Sequence, residues 1–370
     1  MKYVFGDVSN IQREVILKNR LGGEPTVSIH DNCIVPPPSI LSRGPLSFRG
    51  GVYDESGRMI PGTGLQRNIG GKATELAIAY DDVSKFPVEH FAEAVYGGCY
   101  FEHFGHFMVE TTARLWWVVE SGYKGPVIFQ VMSTGIASFA RTFFSMLGID
   151  AVFVPRNMAV RVGRLTIPDA SLVVQVWASK AFTRPFREVA KKLPSTGRGE
   201  RLYVVRGRGV GSAFGEATVQ KALEREGFQT LDPTEASLQE QIAAFANARQ
   251  IVGVIGSAMH SLAYCQRAEQ VGYLARNATI STTFPAIDDA IGSYDSHYLV
   301  NVLNPLPPHP NLQGPFLIDA EACCDQLAET GYLRRRSQVD LRDVIAERDL
   351  YMREWWRIES ARRAADAGRA

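Results

Sequence analysis

The apolar positions of this chain fall into two alternating series separated by a polar stretch. In the first, Glu75–Tyr80 reads as a strand and a helical pattern runs from Glu102 to Glu120. Pro126–Val131 is a short buried-strand run. Ala137–Leu147 has helical spacing and stops at Gly148, and Ala151–Pro155 reads as another strand. The second series is more regular. It predicts strands at Arg201–Val205, Gln229–Leu231, Gln250–Ile255 and Gln270–Leu274. Helices are predicted at Glu216–Glu226, Ser237–Ala248 and Gly256–Tyr264, and Ser237 and Glu240 have the spacing of a capping box. Such strand–helix–strand alternation predicts parallel α/β layers. After Asp340, the spacing of Leu341, Ile345, Leu350 and Trp355 among many charges predicts a long amphipathic helix.

Residues 1–70 are rich in Gly and Pro. They predict loops, including the run from Arg49 to Gly71, around short strand-like pieces such as Thr26–Ile29. The segment from Arg184 to Arg201 is basic and polar and ends in Ser195-Thr196-Gly197-Arg198-Gly199, where a domain boundary is expected. This gives a first domain over 1–195, a second over 196–335 and a terminal helix over 336–370. A length of 370 residues suits two domains of ~100–200 residues each.

Composition narrows the partners. The 40 Lys and Arg balance 39 Asp and Glu, so no global field pulls the chain toward nucleic acid, and no nucleic-acid partner is expected. Five cysteines without a CxxC pair argue against a disulfide framework or a zinc ribbon. Charges appear before any apolar run of signal length, and no stretch nears the ~20 apolar residues of a membrane span. A soluble, cytoplasmic chain is expected, with room for peripheral contact at the inner membrane and for a homo-oligomer.

Three segments can carry chemistry. The first runs from Gly97 to Glu110 and on to Arg114. On a helix His103, His106 and Glu110 share one face. A His and a carboxylate there can act as general base, or the three can hold a metal, or His and Glu can simply bond within the core. In the second, a strand delivers Arg206 and Arg208 into the glycine-rich run Gly207–Gly211. Ligands bind at the C-terminal ends of strands in open α/β sheets, and the guanidinium fork suits phosphate. The run matches neither a P-loop nor a clean GxGxxG, and a solvated surface turn fits it too. In the third, the strand at Ile251–Ile255 turns through Gly256, Ser257 and Ala258 into a helix carrying His260. The unpaired N–H groups of a helix start favour an anion, although an ordinary capped turn looks the same.

Together these segments resemble the family 61 glycosyltransferases. The matching residues are Gly105-His106-Phe107 with Glu110 and Arg114; Tyr203 to Arg206 with Arg208; Ser237, Glu240, Gln241 and Ile242; and Val252 to Ala258. The resemblance covers roughly residues 75 to 275. Ile255 stands where the family usually has His, and Gly215-Glu216 where it has Asn-Glu.

The resemblance implies a GT-B-like α/β architecture, two Rossmann-like domains facing across a cleft. It implies inverting transfer without a metal or other cofactor, and a last helix that crosses back to the first domain. The expected donor is a nucleotide-sugar, a UDP-sugar before others, and the acceptor a glycan or lipid-linked hydroxyl in cell-surface polysaccharide synthesis, as in bacterial relatives. Arg206, Arg208, Gly256, Ser257, Ala258 and His260 fall on the donor side. Glu110 is the expected base, with His106 orienting it or exchanging roles with it, and His103 and Arg114 beside them. Arg114 is expected to keep Glu110 ionised. A metal-dependent hydrolase using His103, His106 and Glu110, or a non-catalytic nucleotide-sugar binder, are the alternatives.

Overall fold

A computed structural model describes residues 1–43, 46–194, 200–207, 211–307, 314–335 and 339–367. The expected domain boundary at Ser195–Gly199, and Arg208, lie outside the described residues. The fold is mixed α/β with two main sheets.

The first sheet has five strands in the order Asp150–Val154, Pro126–Val131, Val88–Tyr100, Ala159–Pro168 and Val27–Val35. All pair in parallel except the last, which is antiparallel. The second has six parallel strands in the order Lys2–Gly6, Asp295–Val300, Gln270–Leu274, Gln250–Val254, Arg201–Val204 and Gln229–Leu231. Parallel strands buried on both faces read as unbroken apolar runs, which is why Gln270–Leu274 was legible. One apolar cluster contains both Phe129 of the first sheet and Ile251 of the second, so a shared core joins the two.

Several elements depart from the sequence expectation. The first 70 residues hold more regular structure than their Gly and Pro suggested, starting with Lys2–Gly6. That strand lies at the edge of the second sheet, beyond the 1–195 grouping expected from chain order. Within the expected loop from Arg49 to Gly71, Gln66–Ile69 pairs antiparallel with Lys72–Glu75. The two turn residues, Gly70 and Gly71, have φ of 59° and 84°, the left-handed conformation that a tight hairpin requires. The strand expected at Glu75–Tyr80 shrinks to Ala77–Ile78, and the 13-residue strand Val88–Tyr100 takes the central place.

The polar stretch after Arg184 begins as the helix Arg184–Lys191. Its buried Phe186, Val189 and Ala190, spaced three and one apart, sit among charges that masked them in the sequence. The helical run at 102–120 breaks into Phe104–Val109, the 3₁₀ turn Thr111–Arg114 and Trp116–Ser121. Hydroxyls compete for the backbone there: Thr111 accepts from the Phe101 N–H at 2.9 Å and Thr112 donates to Met108 O at 2.7 Å.

The capping box forms as read, with Ser237 and Glu240 each bonding the other's backbone N–H. The long last helix also forms, as Leu341–Ala367. Its packing differs from expectation, because its partners lie in the second half. Tyr351 stacks edge-on to Phe214, Lys221 pairs with Asp343, and Trp355 donates to Pro307 O.

Candidate active site

Both main sheets send their C-terminal strand ends toward one place. From the first sheet, Val88–Tyr100 leads through three residues into the helix Phe104–Val109. From the second, three neighbouring strands end just before Arg206, Gly256 and Arg276. The two sets meet closely. A Cβ on Gly105 would stand 2.7 Å from Ser257 Oγ, so glycine lets this helix lie against the Ser257–Tyr264 turn without displacing that side chain. A cavity of about 550 Å³ opens beside this contact, lined by His103, His106, Ser257, His260 and Arg276 among others. A second, of about 290 Å³, lies on the other side of Gly256 and Ser257 and touches Arg206 and Ala258.

On the first-half wall, His106 Nδ1 bonds Glu110 Oε2. Glu110 has a side chain only 5% exposed, and Arg67 clamps it, donating from Nε at 2.9 Å and Nη2 at 3.1 Å to the two carboxylate oxygens. His106 is 42% exposed on the cavity side. A proton on Nδ1 donating to the carboxylate leaves Nε2 as the acceptor. His103, whose backbone caps the helix, holds its ring 5.3 Å from that of His106. Burial, then His106 and Arg206, push its pKa down.

Arg114 does not face Glu110 as expected. It is buried, donating to the carbonyls of Pro168 and Gly62 and lying over the Tyr96 ring. The chain makes three turns of different type around 110–116, and this directs Arg114 inward, so Arg67 of the hairpin supplies the cation instead. Sequence reading missed Arg67. Its only signal was its place just ahead of the Gly70-Gly71 turn.

His103, His106 and Glu110 do not gather as a metal set. Among the described residues no cluster of three or more His, Cys, Asp and Glu side chains could hold an ion. The reason is visible in the bonds, since Arg67 and His106 occupy the Glu110 carboxylate. This removes the ligand set on which the hydrolase alternative rested.

On the second-half wall, Arg206 donates from Nε to Gly211 O at 2.8 Å and lies against Gly256, where a Cβ would be 2.0 Å from its Nη1. The Arg206 N–H donates to Glu216 Oε1 at 2.6 Å, and Tyr203 Oη donates to the same oxygen at 3.2 Å. Burial raises the Glu216 pKa to about 7 against these bonds. Gly215 before it has φ of 90°, and a Cβ there would meet Ile318 O at 2.6 Å, which accounts for the glycine at this position.

His260 stacks on Phe284 with ring centroids 5.0 Å apart. Burial, followed by His106 and His103, depresses its pKa to about 3, and its buried Nδ1 has no hydrogen-bond partner among the described residues. Ile255 is buried at the strand end, its N–H donating to Leu274 O at 2.9 Å. Arg276 is the second residue that sequence reading missed. Its signal was there: it follows Leu274 by two positions, as Arg206 follows Val204.

An α/β protein with cations at the strand ends of one sheet, facing a His–carboxylate pair from the other, has the parts of a group-transfer site for an anionic leaving group. Residues 104–272 match the family model Glycosyltransferase 61. That segment holds His106, Glu110, Arg114, Arg206 and Ser257, while Arg67 and Arg276 lie outside it. The family supports glycosyl transfer as the chain's class of reaction. No curated protein matches the chain.

Proposed function

We propose that the chain is an inverting glycosyltransferase that moves a sugar from a nucleotide-sugar, a UDP-sugar first, to a hydroxyl of a glycan or lipid-linked acceptor in cell-surface polysaccharide synthesis. The observation that carries this reading is the 550 Å³ cavity with His106 on one wall and Ser257 and Arg276 on the other. A GT-B-like pairing of two halves, with Lys2–Gly6 joined to the second, fits the same arrangement.

The bonds of Glu110 favour one assignment of roles. With its oxygens engaged by Arg67 and His106, Glu110 orients His106 and balances its charge. His106 Nε2 then takes the proton of the acceptor hydroxyl. The acceptor oxygen forms the new bond to the anomeric carbon, the bond from that carbon to the diphosphate oxygen breaks, and the electron pair leaves with the diphosphate. Arg206, Arg208 and the Gly256–Ser257–Ala258 turn stabilise that developing charge. His260, held neutral by burial, serves as a wall of the donor pocket rather than as a cation. His103 lies between the two sides.

No described helix is long and apolar enough to cross a membrane. The exposed Trp356, 52% accessible beside Arg363, suits peripheral contact with an inner-membrane surface that carries lipid-linked acceptors. The test is a mass-spectrometric screen of purified protein against a panel of nucleotide-sugars with glycan and lipid-linked acceptors. The expected result is consumption of one donor with release of its nucleoside diphosphate. Failure of every nucleotide-sugar and nucleoside diphosphate to bind would overturn the reading.

A further inference from the structure

We propose that Gln175 is a specificity-determining residue, whose side-chain amide bonds the hydroxyls of the sugar held in the 550 Å³ cavity beside His106. This rests on the nucleotide-sugar reading above and names the residue that selects among sugars.

Gln175 sits where the backbone favours another residue. The short antiparallel strands Leu172–Val173 and Trp177–Ala178 are joined by a turn that the Val176 N–H closes onto Val173 O at 3.0 Å. Gln175 is the third residue of this turn, with φ of 62°. Positive φ there favours Gly or Asn. Glycine has no Cβ to crowd the following carbonyl, and asparagine offsets the crowding with local hydrogen bonds. The other described non-glycine residues with positive φ, Asn32 and Asn304, are both asparagines. Gln175 has no such compensation, because the hydrogen bonds that it makes with its neighbours run through its own backbone.

Both halves of the fold hold this conformation in place. Gln175 O accepts from Asn68 Nδ2 at 3.1 Å and from Thr282 Oγ1 at 2.8 Å, and its N–H donates to Thr283 Oγ1 at 3.1 Å. Asn68 belongs to the hairpin that carries Arg67, and the two threonines stand at the start of the helix Thr283–Ile291. The side chain is left over. It is exposed, it lines the cavity together with Asn68, Thr282 and Thr283, and its amide has no hydrogen-bond partner among the described residues. A left-handed residue other than glycine costs stability, and such outliers concentrate where a side chain serves a ligand. The chemistry here suits a sugar. Amides and hydroxyls offer donors and acceptors in fixed directions, as sugar hydroxyls do. An amide on a pinned backbone bonds a hydroxyl of one configuration. In the epimer that hydroxyl points away, and the amide loses its partner.

The experiment is titration by saturation-transfer NMR of the full chain, Gln175→Gly and Gln175→Asn, with thermal melting of each. The probes are the methyl glycosides of glucose, galactose, mannose and xylose, then UDP-glucose, UDP-galactose and UDP-xylose, with UDP as the reference. Gln175→Gly weakens the best-bound sugar by about 5- to 50-fold, the loss of one or two hydrogen bonds, and leaves UDP within about twofold. Its preference between epimers falls to within about twofold. It melts at or above wild type, because glycine relieves the backbone. Gln175→Asn suits the turn and recovers part of the binding. A loss on the methyl glycoside assigns the contact to the acceptor sugar, and a loss on a UDP-sugar relative to UDP assigns it to the donor sugar; either supports the role. A Gln175→Gly chain that keeps wild-type sugar affinity and epimer preference overturns it, as does one that melts several degrees lower, whose side chain then serves the fold. A wild-type chain that binds UDP but gains nothing from any sugar overturns this contact alone. A wild-type chain that binds neither UDP nor any of the sugars overturns the UDP-sugar reading together with this one.

Discussion

Arg67 grips Glu110 with two nitrogens, Nε and Nη2, at 2.9 and 3.1 Å from its two carboxylate oxygens. This fork fixes the plane of a carboxylate that must also hold the His106 ring. Lysine has the charge but not the fork. Arg67→Lys is expected to keep donor affinity and lower the transfer rate by about 10- to 100-fold, the usual cost of losing a group that orients a reacting side chain. Steady-state kinetics with separate donor-binding measurements check this. A loss confined to donor affinity would move Arg67 to the donor side.

Gly105 is the place where the two walls touch. Its missing Cβ is what allows the approach to Ser257, and 2.7 Å is too close for any real Cβ to stand from Ser257 Oγ. Gly105→Ala is expected to cost about 1–3 kcal/mol of stability, the usual penalty of overpacking. It should also lower transfer through a shifted His106. Denaturant unfolding and activity on the same sample read both effects, and unchanged values for both would show that the contact is free to yield.

Glu216 predicts a pH dependence. Burial raises its pKa from the usual 4.5 to about 7. A raised folded pKa means that the protonated form favours the fold. The group's stabilising contribution is thus complete below about 4.5 and is lost as pH rises through about 7. Glu216→Gln fixes a neutral side chain, so its melting temperature relative to wild type should improve as pH rises from about 4.5 to about 7 and level off above that. A pH-independent difference would show that Glu216 does not titrate in this window.

The legible parts of the chain were those in which local rules and tertiary structure agree. The capping box at Ser237 and Glu240, the glycine stop at Gly148 and the strand Gln270–Leu274 all follow from short-range chemistry. His106 and Glu110 were visible because four residues on a helix make neighbours, and the structure keeps that pairing although the helix ends at Val109. What sequence could not show is contact made across the fold. Arg67 reaches Glu110 from a hairpin 43 residues earlier, and Arg114, closer in sequence, turns to the Pro168 and Gly62 carbonyls instead. The helix Arg184–Lys191 was hidden because its buried Pro185, Phe186, Val189 and Ala190 sit among charges. The strand Lys2–Gly6 was hidden because its partner, Asp295–Val300, comes near the other end of the chain.

The central claim is that His106, held by Glu110, acts on the acceptor hydroxyl and not on the donor. The most direct measurement is the single-turnover transfer rate of His106→Ala at saturating donor, with donor affinity measured on the same protein. The account predicts donor affinity within about threefold of wild type and a transfer rate lower by roughly 10²- to 10⁴-fold, the range of general-base catalysis. A His106→Ala chain that transfers sugar at the wild-type rate would contradict it.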